Sequence, residues 1–230
     1  MNTATMGIPV SALSEDARAA FITRTYVHLF GAIGAFTLIE VGLFSSGLAR
    51  PIAQAMVSIP WLAILGAFMV VSWFASRLAH SAESVLAQYA ALGGFVLAQA
   101  LIFVPMLFIA ERMAGGVIES AAITTLLGFG ALTAVALITR KDFSFLRSVL
   151  VWGFVVALVG IVASVIFGFQ MGTWFSVAMV ALAGCAILYD TSNILHHYPE
   201  DRHVGAALQL FASVAMMFWY VLRLFMSSDD

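Results

Sequence analysis

The segment "AGCAILYDTSNILHHYPEDRH" places a carboxylate, Asp190, inside an apolar run of membrane-spanning length. An acid at bilayer depth is costly, so it usually faces a partner, a cavity or a transport path. Asn193 and His197 follow at spacings of three and four, which would extend a polar stripe along one side of a helix. Asp190 could therefore exchange protons or attract a cation, and His197 could pass or sense protons at the membrane edge.

A second polar stripe follows on the next apolar segment, where Gln209, Ser213 and Tyr220 are spaced by four and seven. At about 1.5 Å per residue, Ser213 lies roughly 13 Å deep, close to the depth of Asp190, so the two side chains could share a hydrogen bond. Two facing stripes would form either a narrow hydrated path or a buried hydrogen-bond network. The alternative is that they only hold neighbouring helices together.

Two further charged residues belong to apolar segments. Arg77 ends the second segment, and its guanidinium could reach toward Asp190 as a latch that protonation releases, or extend outward into the interface. Glu40 lies roughly 20 Å along the first helix and so in the other leaflet from Asp190. It has no evident partner, and either lines an outer vestibule or leans to the interface.

A cluster of histidines and acids follows the Asp190 segment and superficially resembles a metal site. Its spacing matches no helical zinc pair such as H-E-x-x-H, and a solvated loop of mixed charge is the preferred interpretation. The cluster consists of His196, His197, Glu200, Asp201 and His203.

Composition defines the elements that hold these residues. Hydrophobic residues make up 63% of the chain and charged residues 10%, whereas a soluble domain is about 25% charged. The fold class predicted is all-α, a polytopic membrane protein forming one compact bundle of seven transmembrane helices. The predicted spans are Tyr26 to Ser45, Ile59 to Ser76, Leu86 to Ala110, Val117 to Thr139, Val149 to Phe169, Trp174 to Leu195 and Val204 to Phe225.

The distribution of basic residues predicts the orientation, because Lys and Arg favour the cytoplasmic side. We expect a polar cytoplasmic tail over residues 1–25, disordered up to Arg24, a membrane domain over residues 26–226, and a short tail over residues 227–230 outside. With alternating spans, one side collects Arg18, Arg24, Arg77, Arg140, Lys141, Arg147 and Arg202, and the other side Arg50, Arg112 and Arg223.

Several function classes lack the residues that they need. The net charge of −2 gives no basic field for nucleic acid. No G-x-S-x-G elbow, H-E-x-x-H motif or phosphate-binding glycine loop occurs, so we expect neither an enzyme nor a cofactor. The only lysine, Lys141, lies in a predicted link, which excludes a retinal Schiff base within the membrane.

Four stretches together resemble the Bax inhibitor family and most closely its bacterial YccA/YetJ-like branch. The similarity extends over essentially all seven spans. The stretches are "RTYVHLFGAIGAFTLIEVGL", "TRKDFSFLRSVL", "ILYDTSNILHH" and "AALQLFASVAMMFWYVLRLF".

The resemblance implies a bundle whose last helix is central, in a bacterial inner membrane. It also implies a pH-sensitive calcium leak, in which two aspartates of the last two helices share a proton and an arginine latches them. Asp190 matches the first aspartate, Arg77 lies near the arginine, and Ser213 stands where the second aspartate is expected. Asp190 alone would make a weak calcium site, because calcium prefers several oxygen ligands.

Two functions therefore remain open. The first is a proton-sensitive cation leak, with calcium and protons as the ions, centred on Asp190 with Ser213, Arg77, His197, Asn193 and Gln209. The second, implied by the YccA-like branch, is a modulator or substrate of the membrane-bound ATP-dependent protease FtsH, for which the N-terminal tail would be the handle.

Overall fold

Seven long apolar helices make up most of the chain. The computed structural model describes residues 9–81, 84–113 and 115–227. The shortest of the seven has 21 residues, which at about 1.5 Å per residue is enough to cross a hydrocarbon core about 30 Å thick. In chain order the helices are α1 (Glu15–Ser45), the short α2 (Ala49–Val57), α3 (Trp61–Ser81), α4 (Val85–Ala110), α5 (Val117–Thr139), α6 (Leu146–Phe167), α7 (Thr173–His196) and α8 (His203–Ser227). The predicted all-α polytopic fold is confirmed.

Two features of the first helices differ from the prediction. α1 begins at Glu15 rather than at Tyr26, because Ser14 caps it by accepting a hydrogen bond from the Ala17 N–H at 3.4 Å. The nine-residue α2 was not predicted, since a search for runs of about 20 apolar residues passes over so short a helix. α2 buries Ala49 and Ala53 against α4.

The C-terminal helix α8 lies at the centre of the bundle, as the family resemblance implies. In the apolar stretch of α8 that is long enough to span a membrane, 67% of the residues are buried, compared with 11% in the corresponding stretches of α3 and α6. α8 packs against α1, α3, α4, α5 and α7. α8 approaches α3 especially closely at Gly205. A methyl group added to this glycine would lie 3.0 Å from the Ala79 carbonyl oxygen. A glycine here allows the two helices to touch.

Successive long helices run in opposite directions, so the links between them lie at two opposite end faces of the bundle. We call the face where α1 begins the amino-terminal face; it also holds the links α3–α4, α5–α6 and α7–α8. The opposite, distal face holds the α4–α5 and α6–α7 links and the end of α8. Phe143 in the α5–α6 link donates its N–H to the Ser192 hydroxyl near the end of α7 at 2.9 Å. On the distal face, Arg223 of α8 donates to the Met171 carbonyl of the α6–α7 link at 2.7 Å.

The residues that precede α1 pack onto the amino-terminal face. Val10 is fully buried in a single 3₁₀ turn, and its N–H donates to the Tyr198 carbonyl at 2.9 Å. The expectation of a disordered tail up to Arg24 is therefore wrong for residues 9–24, because an apolar side chain and a helix cap hold this segment in place. Residues 1–8 of that tail, and residues 228–230 of the predicted C-terminal tail, lie outside the described residues.

Candidate functional site

The Asp190 carboxylate lies between the two helices that carry the polar stripes. The Ser213 hydroxyl donates to Asp190 Oδ2 at 2.5 Å, so the predicted hydrogen bond between α7 and α8 is confirmed. Asp190 is 2% exposed and Ser213 is 7% exposed. Gln209, one turn before Ser213, lines the same cavity as Asp190 and lies close enough to interact with its carboxylate. Within the part of the chain that the structure describes, this buried acid therefore meets one hydroxyl and one amide but no second acid.

A cavity of about 1110 Å³, which we call the Asp190 cavity, lies beside this group. It is lined by residues of α3, α4, α6, α7 and α8. Arg147 lines it near the amino-terminal face, whereas Trp61, Met171 and Arg223 line it near the distal face. The Asp190 cavity therefore extends over most of the height of the bundle, with Asp190 in its amino-terminal half.

The Asp190 cavity also opens on one side of the bundle. α3 and α6 form its side walls, and α6 packs mainly on α7. Met69 of α3 and Val151 and Phe154 of α6 line the cavity, yet they are 46%, 56% and 43% exposed. The opening between α3 and α6 therefore faces the surroundings of the bundle along its apolar flank.

Three hydroxyl groups near Asp190 that do not line the Asp190 cavity escaped the sequence analysis. The Tyr26 hydroxyl on α1 lies near the hydroxyls of Thr133 on α5 and Thr191 on α7, within reach of the charge of Asp190. All three are buried, and within the described residues none forms a hydrogen bond of good geometry. For Thr133, the sequence did contain a signal. Thr125, Phe129 and Thr133 are spaced four residues apart, which places all three on one side of α5, and this side is buried.

The α5–α6 and α7–α8 links fix the end of α7 that carries Asp190. The Ser192 hydroxyl donates to the Lys141 carbonyl at 3.3 Å while it accepts from the Phe143 N–H. In the α7–α8 link, burial raises the pKa of the Tyr198 phenol above its ordinary value, and the negative charge of Asp190 adds to this rise. Tyr198 therefore keeps its proton at physiological pH.

Three predicted site residues lie away from the Asp190 cavity. The Arg77 guanidinium carbon is 5.4 Å from the centroid of the Trp73 ring, and its side chain is exposed. His197 caps the end of α7, where its ring lies 3.7 Å from Asp142. Neither residue is among those that line the cavity, and neither is Asn193. Three residues turn a helix by about 300°, so Asn193 is offset from Asp190 by only about 60°, and it lies closer to the amino-terminal face, beyond the cavity lining.

The histidines at the amino-terminal face form two ring pairs, His28 with His203 and His196 with His197. The His203 ring packs edge-on against His28 of α1 with ring centroids 5.0 Å apart, whereas the His196 ring forms a hydrogen bond with the Ser192 carbonyl at 2.9 Å. Near His197, the Ser144 backbone N–H donates to Asp142 at 2.8 Å and holds the pKa of that carboxyl below its usual value. Over the described ranges, no three His, Cys, Asp or Glu side chains come close enough to hold a metal ion.

The fold and this site define a polytopic integral membrane protein with a buried acid between its last two helices. Residues 18–230 match the model of the family described as "Inhibitor of apoptosis-promoting Bax1". The chain belongs to this Bax inhibitor family, as the resemblance of its four stretches indicated.

Three bacterial relatives show how far the similarity extends. An uncharacterized Pseudomonas aeruginosa protein, PA2604, is 30% identical over 83% of this chain and 86% of its own length. An uncharacterized Campylobacter jejuni protein, Cj0236c, is 31% identical over 90% of this chain and 89% of its own length. The Escherichia coli protein named "Modulator of FtsH protease YccA" is 35% identical over 48% of this chain and 50% of its own length.

Proposed function

We propose that this protein is a proton-sensitive cation leak of a bacterial inner membrane, with the amino-terminal face in the cytoplasm. The observation that carries the proposal is the placement of Asp190. Its carboxylate is buried, accepts a hydrogen bond from Ser213, and lines a cavity that reaches from Arg147 at one face to Arg223 at the other. Acids in such positions commonly mark ion or proton paths.

The chemistry of Asp190 makes the leak depend on pH. An ionised carboxylate in a medium of low dielectric attracts a cation strongly, and the Ser213 and Gln209 oxygens can add to the ligands. A proton on Asp190 removes that attraction. Because one carboxylate is a weak calcium ligand set, we expect calcium to pass without being held tightly.

Aromatic rings in the distal half of the Asp190 cavity form the main barrier to ion passage. Trp219 of α8 packs edge-on against Phe103 of α4 at 4.9 Å between ring centroids, and stacks on Trp61 of α3 at 6.1 Å. Apolar rings at a constriction exclude water and so oppose ion passage. A slow leak, rather than a wide channel, fits these contacts.

The test is calcium and potassium flux through liposomes that contain the purified protein, between pH 6 and pH 8. For the native chain we expect flux that changes with pH; for Asp190→Asn we expect the pH dependence to disappear while the protein stays folded. Asp142→Asn is the matched control, because it makes the same change at an exposed carboxylate. Equal flux and equal pH dependence in the native chain and in Asp190→Asn would refute the role of Asp190, and flux no greater than that of protein-free liposomes would refute the leak.

A second candidate is modulation of a membrane-bound ATP-dependent protease. It is supported by the similarity to YccA, whose name describes it as a modulator of FtsH protease, and by the serine at position 213, which leaves Asp190 without a second acid. The segment available for engagement is shorter than the sequence indicated, because Val10 is buried and Ser14 caps α1.

This candidate is tested by deleting residues 2–8, which leaves the packed segment from residue 9 onward intact. A protease that starts from this segment should degrade the shortened chain more slowly, so its lifetime in cells that contain FtsH should increase. Replacement of residues 2–8 by a Gly/Ser segment of equal length tests whether degradation depends on the sequence of this segment or only on its length. An unchanged lifetime of the shortened chain would contradict this role.

A further inference from the structure

A second cavity, which we call the Glu40 cavity, lies near the distal face and has no role in the proposed leak. It encloses about 350 Å³ and is lined by α1, α4, α5 and α8. α1 and α5 each pack on α8, which forms the floor between them. Cavities of this size hold small organic molecules in many proteins.

The Glu40 carboxylate is buried in this cavity and has no hydrogen-bond partner among the residues that the structure describes. Glu40 is 7% exposed, and neither carboxylate oxygen has a hydrogen-bond donor within the described residues. Thr125 lines the same cavity, and its buried hydroxyl likewise finds no partner in the described part of the chain. A carboxylate in such surroundings requires compensation by a proton or by a positive ligand.

The remaining lining suits the apolar part of a cation. Four phenylalanines from α1 and α8 line the cavity, and aromatic faces attract cations as well as apolar groups. Glu111, just after the end of α4, adds a second carboxylate to the lining. The four rings are Phe36, Phe44, Phe211 and Phe218.

The cavity is open to a ligand from the side of the bundle. Val41 of α1 and Leu126 of α5 line it, yet they are 59% and 44% exposed. An amphiphilic molecule dissolved in the distal leaflet would therefore meet the cavity between α1 and α5.

We propose that the Glu40 cavity is a binding site for organic cations that carry an apolar group, such as substituted ammonium compounds. The Glu40 carboxylate compensates the positive charge, the phenylalanines surround the apolar group, and the ligand enters between α1 and α5. This site is separate from Asp190 and does not depend on ion leakage.

The experiment compares two probes of nearly the same shape, benzyltrimethylammonium and its neutral carbon isostere neopentylbenzene. Binding to the full-length protein in nanodiscs is measured by saturation-transfer difference NMR. We expect the native chain to prefer the cation, and Glu40→Gln to weaken cation binding by about tenfold or more while leaving the neutral probe unaffected. Glu119→Gln is the matched control, because Glu119 is an exposed acid in the first turn of α5 and does not line the cavity.

A second variant makes the test independent of the folding of Glu40→Gln. Ala122 on α5 lines the cavity, and Ala122→Phe should fill it and abolish binding of both probes. Cation binding retained in folded Ala122→Phe, or equal in Glu40→Gln and the native chain, would overturn the proposal. Native binding of neopentylbenzene as tight as that of the cation would overturn the role of Glu40.

Discussion

The hydrogen bond between Ser213 and Asp190 should appear as a coupling free energy between the two positions. The appropriate perturbation is a double-mutant cycle of Asp190→Ala, Ser213→Ala and the double variant. Alanine is preferable to asparagine at position 190, because an amide oxygen could still accept from Ser213. Both side chains are buried, so solvent weakens the hydrogen bond between them only slightly.

The magnitude follows from the geometry. Hydrogen bonds to charged groups contribute about 1.5 to 3 kcal/mol, and the oxygen–oxygen distance of 2.5 Å lies at the short end of the range. We therefore expect the two single changes to be coupled by about 1.5 to 3 kcal/mol, which is roughly a tenfold to hundredfold change in the unfolding equilibrium. The double variant should be more stable than the sum of the single effects predicts.

The assay is reversible unfolding in mixed micelles with increasing denaturing detergent, followed by helical circular dichroism. The control cycle pairs Asp190→Ala with Ser45→Ala, because the Ser45 hydroxyl donates to the Gly42 carbonyl within α1 at the distal face. Independent sites add to within about 0.5 kcal/mol. A coupling for Asp190 and Ser213 as small as that of the control would refute the inference that this hydrogen bond joins α7 to α8.

Two further predictions concern packing and titration. Gly205→Ala should destabilise the protein by about 1 to 3 kcal/mol, because the new methyl group meets the Ala79 carbonyl oxygen at 3.0 Å; Gly34→Ala, with nothing within 4 Å, should be neutral or stabilising by up to about 1 kcal/mol in the same unfolding assay. Destabilisation of equal size at both glycines would contradict the close contact. Asp142 should titrate below its ordinary pKa of 3.8 in carboxyl-detected NMR, and Ser144→Ala should keep most of this depression, because the backbone N–H is its largest cause. Since the folded-state pKa is lowered, this carboxylate stabilises the fold above its ordinary pKa, and the contribution disappears as the pH falls through the lowered value. A return to the ordinary pKa in Ser144→Ala would show that the hydroxyl, and not the backbone, is responsible.

The seven spans and the pairing of Asp190 with Ser213 could be predicted from the sequence, because both depend on the position of each residue along its own helix. Hydropathy alone placed α5 at its observed bounds, Val117–Thr139. Counting residues from the helix ends also placed Asp190 and Ser213 at similar depth, and their hydrogen bond is present. The depth of a residue in a bilayer follows directly from its number along a membrane-spanning helix, so the sequence specifies this depth well.

The arrangement of the helices around one another was not accessible in the same way. The sequence directed attention to Arg77, whereas Arg147 is the arginine that lines the Asp190 cavity near the amino-terminal face. Nothing in hydropathy states which helices are neighbours, and a family resemblance supplied the central place of α8. The buried hydroxyls near Asp190 and the unpartnered Glu40 depend on these lateral contacts, as does the packing of Val10.

The central place of α8 has a consequence for biosynthesis. Chains emerge from the ribosome N-terminus first, so α8, which α1, α3, α4, α5 and α7 all contact, is made after each of these five helices. Until His203–Ser227 is inserted, those five helices lack their common partner, and Asp190 lacks Ser213. The bundle can therefore close only after α8 has been synthesised and inserted, and a nascent chain stalled before α8 should be more sensitive to proteolysis than the complete bundle.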